Sequence, residues 1–357
     1  MRPSCLLLLS FLLQVRVAYG APDFRICAFN LQHFGESKSK KADVMQTLVR
    51  IITRCDVCLL QEVRDSRGTA LPALLQQIRR FDPKHEYKSV SSERLGRSES
   101  YQEQYVFVYR SSTTTITGEY QYPDDLPGDE DAFSREPFVV RFKAQQTAVK
   151  EFVLIPQHTT PANATKELDA LYDVLQKVRE MWGNDNVMLL GDFNADCSYL
   201  PKKNRKNVRL ITDTSLSWLI PDTADTTVRS TTFCSYDRIV VHGETFNRAI
   251  VPSSAKAFNF QEEFSLTEKQ VTVSFAATDD TALTVKLFVS SPGSERERSL
   301  SCGSSAEGHS NKVQQWRRLL LQGLLHAPHP QPSDPSAPVI IIAEQQTSVC
   351  GKSEQSL

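Results

Sequence analysis

Net charge is almost absent from this chain: 41 Lys and Arg stand against 42 Asp and Glu, which leaves −1 at pH 7 over 357 residues. With an average field near zero, affinity for any polyanion has to come from a local basic groove or from bound metal ions. Long apolar runs are scarce as well. The run Cys5 to Val15 is too short to cross a bilayer, and no later segment approaches the roughly 20 apolar residues a transmembrane helix needs, so no membrane anchor is expected. Arg2 before that run and Ala18-Tyr19-Gly20 after it predict a signal peptide over residues 1–20, cleaved near Ala21, and hence a secreted protein. Nothing in the pattern points to oligomerisation, and a monomer is expected.

What is present is ordinary for a globular chain: 40% hydrophobic and 23% charged residues, enough for one large domain or two modest ones. Of the 8 cysteines, Cys5 falls in the signal, and the oxidising secretory route makes pairing of some of the others plausible. Cys27 and Cys58 lie inside apolar strand-like runs and read as small buried hydrophobes. Cys197 and Cys234 flank polar loops and are the expected disulfide, although spacing alone does not fix connectivity.

Seven β-rich runs read as strands: Arg25 to Asn30, Asp56 to Val63, Tyr105 to Arg110, Pro137 to Phe142, Glu151 to Gln157, Val187 to Phe193 and Asp237 to Val241. Most are apolar on both faces, as central strands covered on both sides should be. Ala42 to Arg54 and Thr165 to Trp182 carry helical spacing, the second with the stripe Leu168, Leu171, Leu175, Val178 and Trp182. A layered α/β architecture follows, with helices packed outside sheets. From residue 289 to 357 the composition turns to Ser, Pro, Gly and charge, which buries too little apolar surface to fold, so this tail is expected to be disordered.

Four strand ends place polar groups just outside an apolar run: Phe29-Asn30, Leu60-Gln61-Glu62, Pro156-Gln157-His158 and Gly191-Asp192-Phe193-Asn194. A single carboxylate in such a place also serves as a helix N-cap, so each alone says little. Together, Asn, Glu, Asp and Asn are the hard oxygen ligands that suit Mg²⁺ or Ca²⁺. A hydrated cation of that kind neutralises charge developing on a phosphate. His158 closes its strand beside these groups, and an imidazole titrates near neutral pH, so it reads as a general acid or base.

The runs Ala28-Phe29-Asn30, Leu60-Gln61-Glu62-Val63-Arg64-Asp65-Ser66, Phe133-Ser134-Arg135-Glu136-Pro137, Gly191-Asp192-Phe193-Asn194-Ala195-Asp196-Cys197-Ser198-Tyr199 and Trp218-Leu219-Ile220-Pro221-Asp222 are similar to the deoxyribonuclease I family. The resemblance runs from Asp23 to Leu287, is closest to the vertebrate deoxyribonuclease I-like members including the gamma type, and marks residues 21–288 as a nuclease domain. It implies a four-layered α/β sandwich of the endonuclease/exonuclease/phosphatase type that cuts double-stranded DNA to 5′-phosphate ends. By the same resemblance Glu62 and Asn30 hold the catalytic metal, Asp192 and Asn194 hold the phosphate or a second metal, His158 pairs with Glu103, and Asp237 sits with them. Arg64, Tyr101 and Arg135 resemble residues that line the DNA groove, where arginine pairs bidentately with phosphate and sets register with little sequence information. Structural calcium is implied at Asp225 and Thr227, beside a Cys197 to Cys234 disulfide, and at Asp131 and Glu136; Arg229 and one extra residue before Cys234 depart from the pattern of the first loop. Asn163-Ala164-Thr165 is a glycosylation sequon on an expected turn.

One part of the pattern fails. The family's closing Ser-Asp-His motif carries a second catalytic histidine, yet no histidine occurs between His242 and His309. Aligning Thr278-Asp279-Asp280 on that motif keeps a metal-side carboxylate as Asp279 and replaces the histidine by Asp280, an anion at neutral pH that repels phosphate. General acid/base catalysis contributes about 10²–10⁴-fold, so binding without efficient cleavage is expected. A degenerate paralogue or an altered last exon accounts for this, and the low-complexity tail favours the exon. Two rival readings stand beside a nuclease: another phosphodiesterase of the same superfold acting on lipid or inositol phosphates, and a weakly catalytic binder of DNA or actin. Fold does not choose between them; the Arg64, Tyr101 and Arg135 set favours DNA.

Overall fold

The computed structural model describes residues 23–128, 130–267, 269–271 and 282–289. The expected signal peptide, the segment holding Asp279 and Asp280, and residues 290–357 of the expected tail lie outside the described residues.

Strands β1 (Phe24–Phe34) and β2 (Val57–Val63) pair in parallel, and between them runs the helix Ala42–Ile52. A parallel pair needs such a crossover, which covers one face of the sheet. A second helix, Ala70–Phe81, follows β2. Then come β3 (Tyr87–Ser91), β4 (Leu95–Ser98) and β5 (Tyr101–Arg110), which complete the first sheet together with β12 (Lys256–Phe258) and β13 (Ala282–Leu287), in the order β12-β13-β1-β2-β5-β3 with β4 on β5. The second sheet holds β6 (Thr115–Gln121), β7 (Phe138–Lys143), β8 (Glu151–Pro156), β9 (Val187–Asp192), β10 (Leu216–Trp218) and β11 (Asp237–His242), ordered β10-β11-β9-β8-β7-β6. Here too the only parallel pair among the described strands of that sheet, β8 and β9, is joined by a helix, Ala164–Trp182.

Alternation along each strand sorts side chains into layers. In β2, Val57 and Leu59 join a core between the sheets with Phe107, Phe142, Phe152 and Leu154, while Cys58 and Leu60 meet Leu48 and Ile52 of the helix Ala42–Ile52 and Leu74 and Ile78 of the helix Ala70–Phe81. In β8 the same parity sends Phe152 and Leu154 inward and Val153 and Ile155 outward, onto Leu168, Leu171, Leu175 and Val178. Those four helical side chains are fully buried, each burial stabilising by about 1.5–3 kcal/mol. The result is helix, sheet, sheet, helix: the four-layered α/β sandwich that the sequence implied.

Two disulfides lock loops to sheets. Cys197–Cys234 forms as expected, with Cα atoms 6.0 Å apart. Cys27 corrects the expectation of a lone buried hydrophobe, because it bonds Cys55 with Cα atoms 6.1 Å apart. The β1/β2 register sets Cys27 opposite Cys58, so the chain entering β2 carries Cys55 past the end of the helix Ala42–Ile52 and onto the same face. Cys58 is the free, buried thiol, its pKa pushed up to about 12 by that burial.

Candidate active site

The site lies where the two sheets bring their strand ends together, and irregular backbone aims the side chains. Between Asn30 and Phe34 on β1, and between Leu60 and Val63 on β2, the pairing register shifts. Such bulges bend a strand and re-aim its residues. Gln32, His33 and Glu62 consequently sit at positive φ, 51°, 58° and 55°, and Asn194 after β9 joins them at 47°. Side chains rarely adopt this left-handed region, and each such residue costs about 1–3 kcal/mol that surrounding contacts must offset.

Gln61, fully buried, bolts the sheets together. Its Nε2 donates to the Gln157 carbonyl at 2.7 Å and its Oε1 accepts from the Asp192 amide at 3.0 Å. Gly191 must be glycine here: its φ is 131°, and a Cβ would stand 2.5 Å from the Gln157 oxygen and 2.6 Å from Gln61 Nε2. Across this junction the Asn30 amide donates to Glu62 Oε1 at 3.0 Å and to Asp192 Oδ2 at 3.3 Å. Glu62 Oε2 also accepts from the His33 backbone at 2.9 Å. Asp192 Oδ1 accepts from the Asn194 backbone at 3.1 Å, and the Asn194 side chain donates to the Thr159 carbonyl at 3.0 Å. Asp237 opens β11 directly opposite Asp192.

His158, just past β8, faces this cluster. Its Nδ1 lies 2.6 Å from Glu103 Oε1, and its Nε2 lies 3.6 Å from Asp192 Oδ2 and 4.0 Å from Glu62 Oε1. Burial, the largest influence, and Arg135 both oppose protonation of the ring, but Glu103 and Asp192 outweigh them and raise the pKa above its ordinary value. Glu103 is held below the usual carboxylate range despite burial, by His158 and Arg135. Asp192 and Asp237 go the other way. Burial raises both, Glu62 adds to the first and Asp192 to the second, and Asp237 Oδ2 is buried with no hydrogen-bond partner.

The structure places the expected residues in several distinct locations. Asn30, Glu62, Glu103, His158, Asp192, Asn194 and Asp237 come together. Arg64 and Tyr101 form a ledge beside them: the guanidinium lies 4.0 Å from the Tyr101 ring centroid, and the Tyr101 hydroxyl is 3.1 Å from His33 Nε2. Arg135, expected among the groove residues, lies against the Glu103–His158 pair and is as buried as His158. Its side chain is 8% exposed, and Nε reaches Glu103 at 3.2 Å and the His158 carbonyl at 2.9 Å, so it braces the histidine from beneath. Asp225 and Thr227 occupy a separate loop in which Asp225 Oδ1 accepts from Thr227; Thr226 between them accepts from the Asp237 amide at 3.1 Å. Asp131 ion-pairs with Arg97, and Glu136 has its pKa raised by burial and by Asp124 and Asp131. Asn163 is exposed at the N-terminus of the helix Ala164–Trp182. Sequence reading passed over Gln61, His33 and the buried Glu167, which accepts from Gln157 Nε2 at 3.1 Å and from the Thr160 amide at 3.1 Å. Gln61 stands beside Glu62 in the run Leu60-Gln61-Glu62, and a polar residue at an inward position of an apolar strand is the signal that marks it.

Known proteins are similar to this chain in sequence and in fold. Residues 27–259 match the sequence model of the Endonuclease/Exonuclease/phosphatase family. Deoxyribonuclease gamma of Homo sapiens is 45% identical over 269 residues, 75% of this chain and 86% of that protein. Deoxyribonuclease-1 of Sus scrofa is 46% identical over 267 residues, covering 74% and 91%. Deoxyribonuclease-1-like 1 of Homo sapiens is 47% identical over 259 residues, covering 72% and 83%. Among solved structures, the human Nocturnin catalytic domain with bound sulfate shares the fold at a TM-score of 0.50 and 13% identity, over 75% of this chain and 95% of that one.

Proposed function

The chain belongs to the deoxyribonuclease I family of endonuclease/exonuclease/phosphatase proteins, and from that premise we propose that it is a secreted, divalent-metal-dependent endonuclease cutting double-stranded DNA to 5′-phosphate ends. The observation that supports this most is the Asn30 amide bridging Glu62 and Asp192 while Nε2 of His158 faces both carboxylates. Secretion is supported by the apolar run and small-residue pattern of residues 1–20 and by two disulfides, which need an oxidising compartment. No helix among the described residues is long and apolar enough to cross a membrane.

The donor set fits a hard cation. Among the described residues no three His, Cys, Asp or Glu side chains make a complete metal site by themselves, but Mg²⁺ keeps several waters and takes only one or two carboxylates. Glu62 with Asn30 would be one donor set, and Asp192, Asn194 and the partnerless Asp237 Oδ2 a second. A divalent cation held there supplies Lewis-acid neutralisation of charge on the phosphoryl oxygens. The chain's own groups do the rest. With Glu103 fixing the proton on Nδ1, Nε2 of His158 takes a proton from the attacking water or returns one to the leaving oxygen. Arg135 holds both partners of that pair, and the Arg64 and Tyr101 ledge meets the phosphate backbone.

Cleavage is slow in this reading, because Asp280 stands where the second histidine is expected. Plasmid nicking by the full chain tests it: conversion of supercoiled to relaxed DNA should require Mg²⁺ with Ca²⁺, stop with chelator and vanish in His158→Ala. Hydrolysis of sphingomyelin in place of DNA would transfer the chain to the phosphodiesterase reading.

A further inference from the structure

We propose that Lys202, Lys203 and Lys206 form a polyanion-binding surface beside the groove, gripping the phosphodiester backbone of the duplex away from the bond that is cut; the inference rests on the DNA reading above. The need for it comes from charge. Glu62, Glu103, Asp192 and Asp237 converge on the site, Arg135 is buried beneath it, and Arg64 alone of the expected groove arginines lies at its edge. Glu103 is already paired with His158 and Arg135, and a bound cation would offset the other three carboxylates only at the bond that is cut, so on a molecule of net charge −1 the rest of the duplex needs exposed cations close by.

The turn Lys202–Arg205 supplies them. Lys202, Lys203 and Lys206 are exposed, and no ion pair or hydrogen bond engages their ammonium groups among the described residues. The neighbouring arginines are different. Arg205 is spent on Asp222 and on Asp196 at 3.0 Å, and Arg209 on Asp169 at 2.9 Å and Asp173 at 2.7 Å. These pairs brace the turn while the lysines stay free.

The braces also locate it. Arg205 Nη2 donates to the Ala195 carbonyl at 3.5 Å, one residue from Asn194. Asp196 accepts from the Ser235 amide at 3.0 Å, two residues from Asp237, and the Cys197–Cys234 disulfide closes the same loop. Asn204 donates to Thr165 at 3.3 Å, in the first turn of the helix that follows His158. The turn that carries the lysines is thus tied directly to the loop that follows Asn194, and through Asp196 to the segment that leads into Asp237. A lysine ammonium is a hydrated point charge on a flexible stem, suited to phosphate contact without base readout.

Neutralising all three with Lys202→Gln, Lys203→Gln and Lys206→Gln in the full chain tests the surface. Binding of a fluorescent duplex is measured by anisotropy across a salt series, with Lys84→Gln, Lys88→Gln and Lys143→Gln as a triple of equal net charge at the other end of the sandwich. The slope of log affinity against log salt should become shallower by about 2 to 3 in the first triple, with affinity at about 0.1 M salt falling tenfold or more. Lys→Arg at the same three positions should restore both. An unchanged slope, or an equal change in the control triple, overturns the proposal. Failure of the wild-type chain to bind or nick any duplex would instead overturn the DNA reading, and this surface with it.

Discussion

Replacing Glu103 by glutamine removes one charge and leaves the shape of the side chain intact. Oε1 of Glu103 meets His158 Nδ1 at 2.6 Å and Arg135 Nε at 3.2 Å, with the carboxylate side chain 3% exposed. Removing one member of a buried ion pair destabilises by about 3–5 kcal/mol; the cost should fall at the low end, because Glu167 remains as a counter-charge to Arg135. The catalytic effect is larger. A carboxylate only accepts, so it fixes the proton on Nδ1, whereas an amide can present its NH₂ to Nδ1 and leave Nε2 protonated, unable to accept from water. Loss of the His158 base should slow nicking by about 10²-fold or more. Single-turnover nicking under saturating DNA reads the chemistry, and thermal unfolding of the same sample reads the stability. If Glu103→Gln nicks within about threefold of wild type while unfolding at the same temperature, the Glu103–His158 pair is not the proton-transfer unit.

Asp280→His should raise nicking well above that of the unaltered chain, and an unchanged rate in the same plasmid assay removes the missing histidine as the cause of slow cleavage. Opening the Cys27–Cys55 bridge, which spans 28 residues, with paired Cys→Ala substitutions should cost about 3 to 4 kcal/mol by chain entropy, read from denaturant midpoints. The Asp82 carboxyl is partly buried, which alone would raise its pKa, but hydrogen bonds from Tyr87 and His85 hold it below the ordinary 3.8. A lowered carboxylate pKa stabilises the fold fully above the ordinary value and progressively less as pH falls below it. The stability gap between wild type and Asp82→Asn should therefore close as pH drops below 3.8. Secretory expression should yield a chain whose mobility shifts on glycosidase treatment, and Asn163→Gln should abolish the shift.

The sequence made the interior legible and the margins opaque, for one reason. Strands apolar on both faces, such as Val57–Val63 and Val187–Asp192, carry their burial in their own residues, so composition alone finds them. Thr115–Gln121 is half-exposed along its length, and the helix Ala70–Phe81 buries only Ala70, Leu74 and Ile78, so neither stands out as a run. The site divides the same way. Asn30, Glu62, His158 and Asp192 were legible because each follows an apolar strand. Whether a side chain turns inward is a property of what folds over it, and local sequence does not hold that. Arg135 looks like any surface arginine until Glu103, His158 and Glu167 close around it. Cys27 looks like a packed hydrophobe until the register of two strands delivers Cys55. The consequence reaches the function: with Arg135 engaged by Glu103 and the His158 carbonyl, Arg64 is the expected groove arginine left at the edge of the site, and further cations that meet DNA must come from outside the groove. Catalytic geometry and DNA affinity then reside in different residues, and substitutions should separate them, Glu103→Gln slowing cleavage at unchanged binding and the lysine triple weakening binding at unchanged single-turnover rate.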